Sequence, residues 1–305
     1  MGIASLCPYS NNVDNLFIDI FSHFPLQYAI MATSLLFYCL VRKRILFSIM
    51  AFFIILLNIT VVDIQGLRGF DGYAEAGQWH NNGLTVYSAN IHKDNDDMVP
   101  LIRDIQRIDP DIIFLMEVSH KQLGQLSEIV EDYEYKVIDP RIEDSGIGVI
   151  FLSKLPVIQK RLTPLSKSGN ALIEGIITTD IGRVSFYGVH FPRQGLNRNF
   201  RMRQREILAF ASLISKDQNP FIIAGDFNAT PYSPVFREFL RISRLTDSPS
   251  ISGDLQLSWP TFFPPLWIPI DHILISPDWR IVKKMRGSYI GSDHYPIIAE
   301  LSLKR

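Results

Sequence analysis

Two uncharged stretches dominate the first fifth of the hydrophobic pattern. Residues 24–41, FPLQYAIMATSLLFYCLV, and 45–62, ILFSIMAFFIILLNITVV, flank Arg42, Lys43 and Arg44. At 18 residues each, they reach the short end of what crosses a hydrocarbon core as helix. One helix through both would hold three cations at mid-membrane, so the pattern predicts a hairpin of two transmembrane helices over 24–62. The positive-inside rule then puts Arg42–Arg44 in the cytoplasm and both outer ends on the opposite side, so that a multi-pass protein carries its long domain after residue 63 in the periplasm or at the cell exterior. A buried hairpin of an ordinary globular protein is the competing reading. Within the N-terminal segment 1–23, NLFIDIFSH (15–23) reads as an interfacial amphipathic stretch or the remnant of another membrane element. Residues 63–83 carry five glycines and read as a linker.

From residue 84 the pattern changes to strand, turn and helix. LTVYSAN (84–90), DIIFLMEV (111–118), GIGVIFLS (146–153), ALIEGIITTD (171–180), RVSFYGVHF (183–191), PFIIAGDF, IDHILIS (270–276) and YPIIAELSL (295–303) have the composition of strands. MVPLIRDIQRIDP (98–110) has apolar positions at helical spacing and is stopped by Asp109-Pro110. QLGQLSEIVEDY predicts a short helix, 197–215 an arginine-rich helix, and 234–240 a further one. Several strands follow one another without intervening helices. That predicts an α/β sandwich of mixed sheets over 84–305, not a doubly wound nucleotide fold; neither a Walker A nor a GxGxxG motif is present.

Composition narrows the classes only slightly. The net charge of −1, with the chain from residue 84 formally neutral, argues against a strongly basic nucleic-acid wrapper. Both cysteines, Cys7 and Cys39, precede residue 40, so the later part folds without a disulfide or a zinc-type thiolate site.

The informative residues are polar ones placed where apolar runs stop. Asn90 ends the first strand, Glu117 ends DIIFLMEV, His190 ends RVSFYGVH, and Asp226 and Asn228 follow PFIIAG. Asp271-His272 interrupts IPIDHILIS, and Asp293-His294 precedes the last strand. Singly, each has a turn or solvent explanation. Together they suit a site assembled at the ends of rigid strands, and the chemistry they suit is phosphoester hydrolysis. Glu117 offers a hard oxygen to a divalent cation, most simply Mg²⁺, with Mn²⁺ as a substitute. Asp226 is placed to hold and deprotonate a water, and Asn228 to orient phosphate or nucleophile. Asp271 paired with His294 would keep that histidine protonated against phosphate. His190 is a second donor to the non-bridging oxygens.

FLMEV, YGVH, AGDFNATP, IDHILIS and GSDHYPI together resemble the endonuclease/exonuclease/phosphatase (DNase I-like) superfamily over about residues 84–305. The resemblance implies a four-layer α/β sandwich of two mixed β-sheets flanked by helices, here preceded by the transmembrane hairpin. It implies Asn90 and Glu117 as metal-site residues, with Asp293 near the metal and His190 on phosphate. It further implies Asp226 on the water, Asn228 on phosphate and Asp271 orienting His294, whose role as general base or transition-state stabiliser it leaves open. A hairpin, a glycine-bearing linker and LWIPIDHIL are similar to a bacterial membrane-anchored branch. The nucleases more often carry arginine immediately before the aspartate, where this chain has Ile270.

The substrate is less constrained than the chemistry. Arg193, Arg198, Arg201, Arg203 and Arg205 crowd RQGLNRNFRMRQRE, and Arg198, Arg201 and Arg205 fall at one-face spacing. Arg193, Arg198, Arg201 and Arg205 are therefore candidate phosphate contacts, with a solvated helix face as the plain alternative. The cluster suits a nucleic-acid backbone or an anionic lipid headgroup equally. LSWPTFFPPLWIP (257–269) is unusually aromatic for a loop, and would cap the core, stack bases or meet the bilayer. The expectation is a membrane-anchored, Mg²⁺-dependent phosphoesterase acting on phosphodiesters: a nuclease, or alternatively a phospholipid or sphingomyelin-type phosphodiesterase or a phosphomonoesterase. Its partners would be that phosphoester and the bilayer around 24–62; a non-catalytic membrane scaffold is the remaining alternative.

Overall fold

A computed structural model describes residues 1–62, 83–143, 146–164, 171–179, 182–193, 198–245 and 256–304. The expected linker, apart from Gly83, lies outside the described residues. In chain order the strands are β1 (Leu84–Asn90), β2 (Ile112–Ser119), β3 (Tyr135–Ile138), β4 (Ile147–Ser153), β5 (Val157–Pro164) and β6 (Ala171–Thr179). They continue with β7 (Gly182–His190), β8 (Phe221–Asp226), β9 (Asp271–Ile275), β10 (Trp279–Arg286) and β11 (Ile297–Leu303). The helices are α1 (Leu16–Ser22), α2 (Pro25–Val41), α3 (Ile45–Val61) and α4 (Val99–Ile108). After them come α5 (His120–Gln125), α6 (Ser127–Asp132), α7 (Arg198–Ile214) and α8 (Pro234–Ser243).

One sheet has the order β10-β11-β1-β2-β4-β3 and the other β5-β6-β7-β8-β9. Each is mixed: β1 runs parallel to β2, and β7 to β8, among antiparallel neighbours. Alternation along the strands divides the apolar residues between two faces. Val86, Phe114, Phe151, Phe186, Ile222 and Ile273 meet between the sheets, where the Phe151 and Phe186 rings stack with centroids 3.9 Å apart. The opposite face of the first sheet packs on Leu101 and Ile105 of α4 and Ile129 of α6. That of the second packs on Phe210 of α7 and Phe236 and Phe239 of α8. The result is an α/β sandwich of two mixed sheets flanked by helices, as the strand pattern predicted. Three strands went unread: β3, β5 and β10 are all sheet edges. β5 exposes Ile158, Gln159, Lys160 and Arg161 in succession, so no buried face marks it as a strand.

Strand direction decides where the site forms. Asn90 and Glu117 stand at the C-terminal ends of a parallel pair, and so do His190 and Asp226, which are register partners. Asp226 also faces Asp271, the first residue of antiparallel β9. Because β11 is antiparallel to β1, Asp293 and His294 enter it from that same end. Gly225 makes the β7–β8 junction possible. Its φ is +148°, and a Cβ there would lie 1.9 Å from the Val189 carbonyl oxygen, so any side chain would push β8 off β7.

The N-terminal expectation needs correction. No single helix among the described residues is long and apolar enough to cross a membrane. α2 and α3 have 17 residues each, about 25 Å at 1.5 Å per residue, short of the roughly 30 Å hydrocarbon core. α1 and α2 together reach the length but are bent by 67°. The multi-pass membrane placement with a periplasmic domain is corrected on that ground, and the transmembrane hairpin, its Arg42–Arg44 loop and the bilayer partner are left without support. Residues 15–23 take a definite place in the fold. They fold as α1, capped by the Asn15 side chain on the Ile18 N–H, and α1 buries Asp19 and Ser22.

Candidate active site

Asp226 Oδ2 lies among four nitrogens brought from four strand ends. Asn228 Nδ2 is 3.0 Å away, Asn90 Nδ2 3.2 Å, His190 Nε2 3.9 Å and His294 Nε2 4.0 Å. The other carboxylate oxygen, Oδ1, accepts the Asn228 backbone N–H at 2.7 Å. Asn228 adopts φ +49°, a left-handed conformation that asparagine tolerates better than most residues. Its side chain also donates to the Phe191 carbonyl at 3.0 Å. The acid and amide that close PFIIAGDFN thus form one hydrogen-bonded turn.

His294 Nδ1 lies 2.8 Å from Asp271 Oδ2, and both residues are buried. Burial alone would lower the imidazole pKa. The Asp271 carboxylate reverses that, with Asp226 and Asp293 adding to it, and takes His294 up to about 9. Asp226 moves the other way for a carboxylate: burial and then the Asp271 charge push it up to about 7, against the pull of His294. The turn before β11 is fixed by Ser292, whose hydroxyl donates to the Asn90 carbonyl at 2.7 Å and accepts the His294 N–H at 3.0 Å.

Glu117 opens a second group of charges. The β2–β4 register slips between Leu115 and Val118, and Glu117 adopts φ +58°. Such a bulge re-aims a side chain at the cost of local strain. Glu117 accepts from Asn90 Nδ2 at 3.1 Å and lies 3.6 Å from His190 Nε2. Arg193 Nη2 approaches Glu117 at 4.0 Å and Asp293 at 3.7 Å. His92, at φ +57°, lies 3.7 Å from Glu117 and 3.3 Å from Asp293 through the same ring nitrogen. Burial raises the Glu117 pKa, but His190, Asn90 and Arg193 together leave it below the ordinary carboxylate value. Burial holds His190 below the usual histidine value.

The eight strand-end residues singled out in the sequence, Asn90, Glu117, His190, Asp226, Asn228, Asp271, Asp293 and His294, therefore converge, and Arg193 joins them. Asn90 enters through its amide N–H groups, which hold both Glu117 and Asp226, while its oxygen accepts the His92 N–H at 3.1 Å. Arg201 and Arg205 are exposed on α7, and neither pairs with an acid within 4.0 Å among the described residues; the Arg198 side chain lies outside them. His92 and Trp259 were missed. Trp259 Nε1 donates to Asp293 Oδ2 at 3.1 Å, so the aromatic loop borders the site. The same loop meets the helical hairpin, where Gln27 donates to the Trp267 carbonyl at 2.8 Å. A loop histidine two residues past a strand carries no pattern that would mark it.

The donor set fits a hard divalent cation. Asp226, Asp271 and His294 place one potential ligand atom each within 4.8 Å of one another, so this group could coordinate one. Glu117 and Asp293 add further carboxylate oxygens, and Asp293 Oδ1 and Asp271 Oδ1 are buried without accepting a hydrogen bond.

The model of the Endonuclease/Exonuclease/phosphatase family matches residues 86–294. The chain belongs to this family. Solved structures share its fold at low identity. A family member from Bacteroides thetaiotaomicron is 20% identical with a TM-score of 0.60, over 74% of this chain and 100% of its own. A mannosyl-6-phosphatase of B. thetaiotaomicron VPI-5482 is 20% identical, TM-score 0.57, over 72% and 100%. D. rerio TDP2 complexed with single-strand DNA product is 14% identical, TM-score 0.55, over 72% and 99%. No curated protein matches the sequence. The comparisons reach the family and single out no membrane-anchored branch of it.

Proposed function

We propose that this Endonuclease/Exonuclease/phosphatase family chain is a Mg²⁺-dependent hydrolase of phosphodiester bonds. The observation that carries the reading is Asp226 Oδ2 among Asn228, Asn90, His190 and His294: both amides spend their N–H groups on protein acceptors, which leaves the two histidines to donate to the oxygens of a bound phosphoryl group. Asp226, held near pKa 7, is matched to taking a proton from an attacking water at neutral pH. His294, kept charged by Asp271, stabilises the negative charge that develops on the phosphoryl oxygens, His190 adds a neutral donor, and Asn228 holds Asp226 in place. Glu117 and Asp293, with Asn90 orienting the first, would hold the Mg²⁺. The ion's chemistry is Lewis-acid stabilisation of phosphoryl charge. The Asp271 side of the site suits it less, because the charged His294 ring has no lone pair to offer and already holds one oxygen of that carboxylate.

Nucleic acid is the first substrate class to test. Arg193 stands at the mouth of the site, more than half exposed, and the TDP2 relative is seen with a single-strand DNA product. The mannosyl-6-phosphatase relative makes a monoester the comparison substrate. Full-length protein with Mg²⁺ would be given bis(p-nitrophenyl) phosphate, single-stranded DNA, sphingomyelin and mannose 6-phosphate, with EDTA and Asp226→Ala controls. Diester turnover lost in both controls is the expected outcome. A folded protein inert toward every one of them would sink the enzymatic reading and leave a scaffold.

A further inference from the structure

The turn that carries Asp226 and Asn228 is supported from beneath by a part of the chain outside the family match, which begins at residue 86. Arg203, on α7, is completely buried. One end of its guanidinium donates to the Asn228 carbonyl and the other to the Asp19 carboxylate of α1, also completely buried. Beside it, His23 Nδ1 lies 2.9 Å from Thr230 Oγ1 and accepts the Thr230 N–H at 3.4 Å. That acceptor role leaves the His23 proton on Nε2, the nitrogen facing Asp19 at 3.7 Å. Burial holds His23 below the ordinary histidine value, in keeping with a neutral ring. The segment is anchored on both sides: Gln204 donates to the Val13 carbonyl at 2.8 Å, and Arg237 to the Ser10 carbonyl.

We infer that Asp19 and His23 are positioning residues for the hydrolytic site, acting through Arg203 and Thr230 on the Asp226–Thr230 turn. The inference rests on the function proposed above. Asn228 N–H holds one oxygen of Asp226, and the Asn228 carbonyl is held by Arg203. The orientation of the peptide after Asn228 is thereby tied to a guanidinium whose charge has its carboxylate partner in α1. A buried arginine deprived of that partner is an uncompensated charge, and the turn it holds is free to rotate. Angstrom-scale misplacement of catalytic groups lowers turnover far more than ground-state binding. The support of the catalytic turn therefore extends to residues 10–23.

The test separates charge balance from positioning. Asp19→Ala leaves Arg203 buried and unpaired, and its failure to fold would be uninformative by itself. Asp19→Ala combined with Arg203→Met removes both charges and keeps the volume filled, so the fold is retained, but the contact to the Asn228 carbonyl is gone. His23→Gln is the milder companion. In full-length protein with bis(p-nitrophenyl) phosphate and Mg²⁺, the double variant is expected to keep its thermal midpoint. Its kcat should fall about tenfold to a hundredfold with KM within twofold. Hydrogen exchange of the peptide spanning 226–230 should accelerate while a β3–β4 peptide stays unchanged. Wild-type kcat and wild-type exchange in the stable double variant would overturn the inference. If the wild-type protein and Asp226→Ala prove equally inert, the proposed function fails on its own account. The exchange comparison then still decides whether α1 holds the turn.

Discussion

The two halves of the site are built differently. Around Asp226, Asn228, Asp271 and His294, hydrogen bonds of 2.7 to 3.0 Å tie Asp226 to Asn228 and His294 to Asp271, with only Asp226–His294 longer, at 4.0 Å. Around Glu117, Asp293, His92 and Arg193, the ion-pair distances run from 3.3 to 4.0 Å. The first half is tied into β8, β9 and the turn before β11, and its geometry is fixed by hydrogen bonds within the protein. The second gathers two acids opposite Arg193 and His92, which touch them only loosely, Arg193 through an exposed side chain. A preorganised half suits chemistry, whose charges must be met without reorganisation; a loose half suits ions that come and go. Substitutions in the first should therefore act on kcat, and those in the second on metal and substrate affinity.

Asp226→Ala is expected to have the largest effect, a loss of about 10³ to 10⁴ in kcat with the fold intact. Steady-state kinetics alongside circular dichroism checks it. A loss confined to KM would move Asp226 to the binding half. Next come His294→Gln and Asp271→Asn, each costing about 10² to 10³ in kcat. Because the two act as a pair, the double variant should be scarcely slower than His294→Gln alone. Additive losses would show that Asp271 has work apart from His294, such as holding the metal with Asp226.

The loose half should respond in affinity. Glu117→Gln is expected to weaken Mg²⁺ about tenfold to a hundredfold, with much of the turnover recovered at high Mg²⁺. A Mg²⁺ titration of initial rates reads this directly. If Glu117→Gln leaves the Mg²⁺ dependence unchanged while Asp271→Asn shifts it, the cation belongs in the tight half. Arg193→Ala should raise KM for an anionic diester about five- to tenfold and flatten its dependence on salt, with kcat within twofold. Equal loss in kcat would place Arg193 on the transition state.

The same contrast marks what could be read from sequence. Asp226, Asn228, Asp271 and His294 interrupt or end apolar runs, and the strands that carry them are buried on both faces, so pattern alone pointed to them. Glu117 was legible for the same reason, but the bulge that turns it toward the site was not. His92 belongs to a loop without period. Asp19 was read as part of an interfacial amphipathic stretch or a membrane remnant, because its partner Arg203 is 184 positions away and stands between Arg201 and Arg205, both exposed. The helical hairpin shows the opposite failure: composition suggested a membrane span, whereas helix length, 17 residues in each of α2 and α3, is a property of the folded backbone. Edge strands such as β5 and β10 carry too few buried positions to announce themselves.

His272 leaves turnover nearly untouched and offers a clean test of how rigid the tight half is. It follows Asp271 in β9, lies 2.9 Å from the Ala229 carbonyl through Nε2, and packs on Phe236 with ring centroids 4.5 Å apart. Burial lowers its pKa to about 4. The folded state therefore refuses a proton that the unfolded chain accepts below pH about 6.5. Stability from this group is whole above that pH, falls as pH drops toward 4, and levels off below it. The slope is about 1.4 kcal/mol per pH unit, or roughly 3 kcal/mol over the window. His272→Gln keeps a polar group near Ala229 but cannot titrate. At pH 7.5 it should be less stable than wild type with kcat within about threefold, and the stability gap should narrow steadily in urea titrations between pH 6.5 and 4.5. A gap constant with pH would mean that His272 is protonated in place, and that the turn behind Asp226 yields enough to admit water.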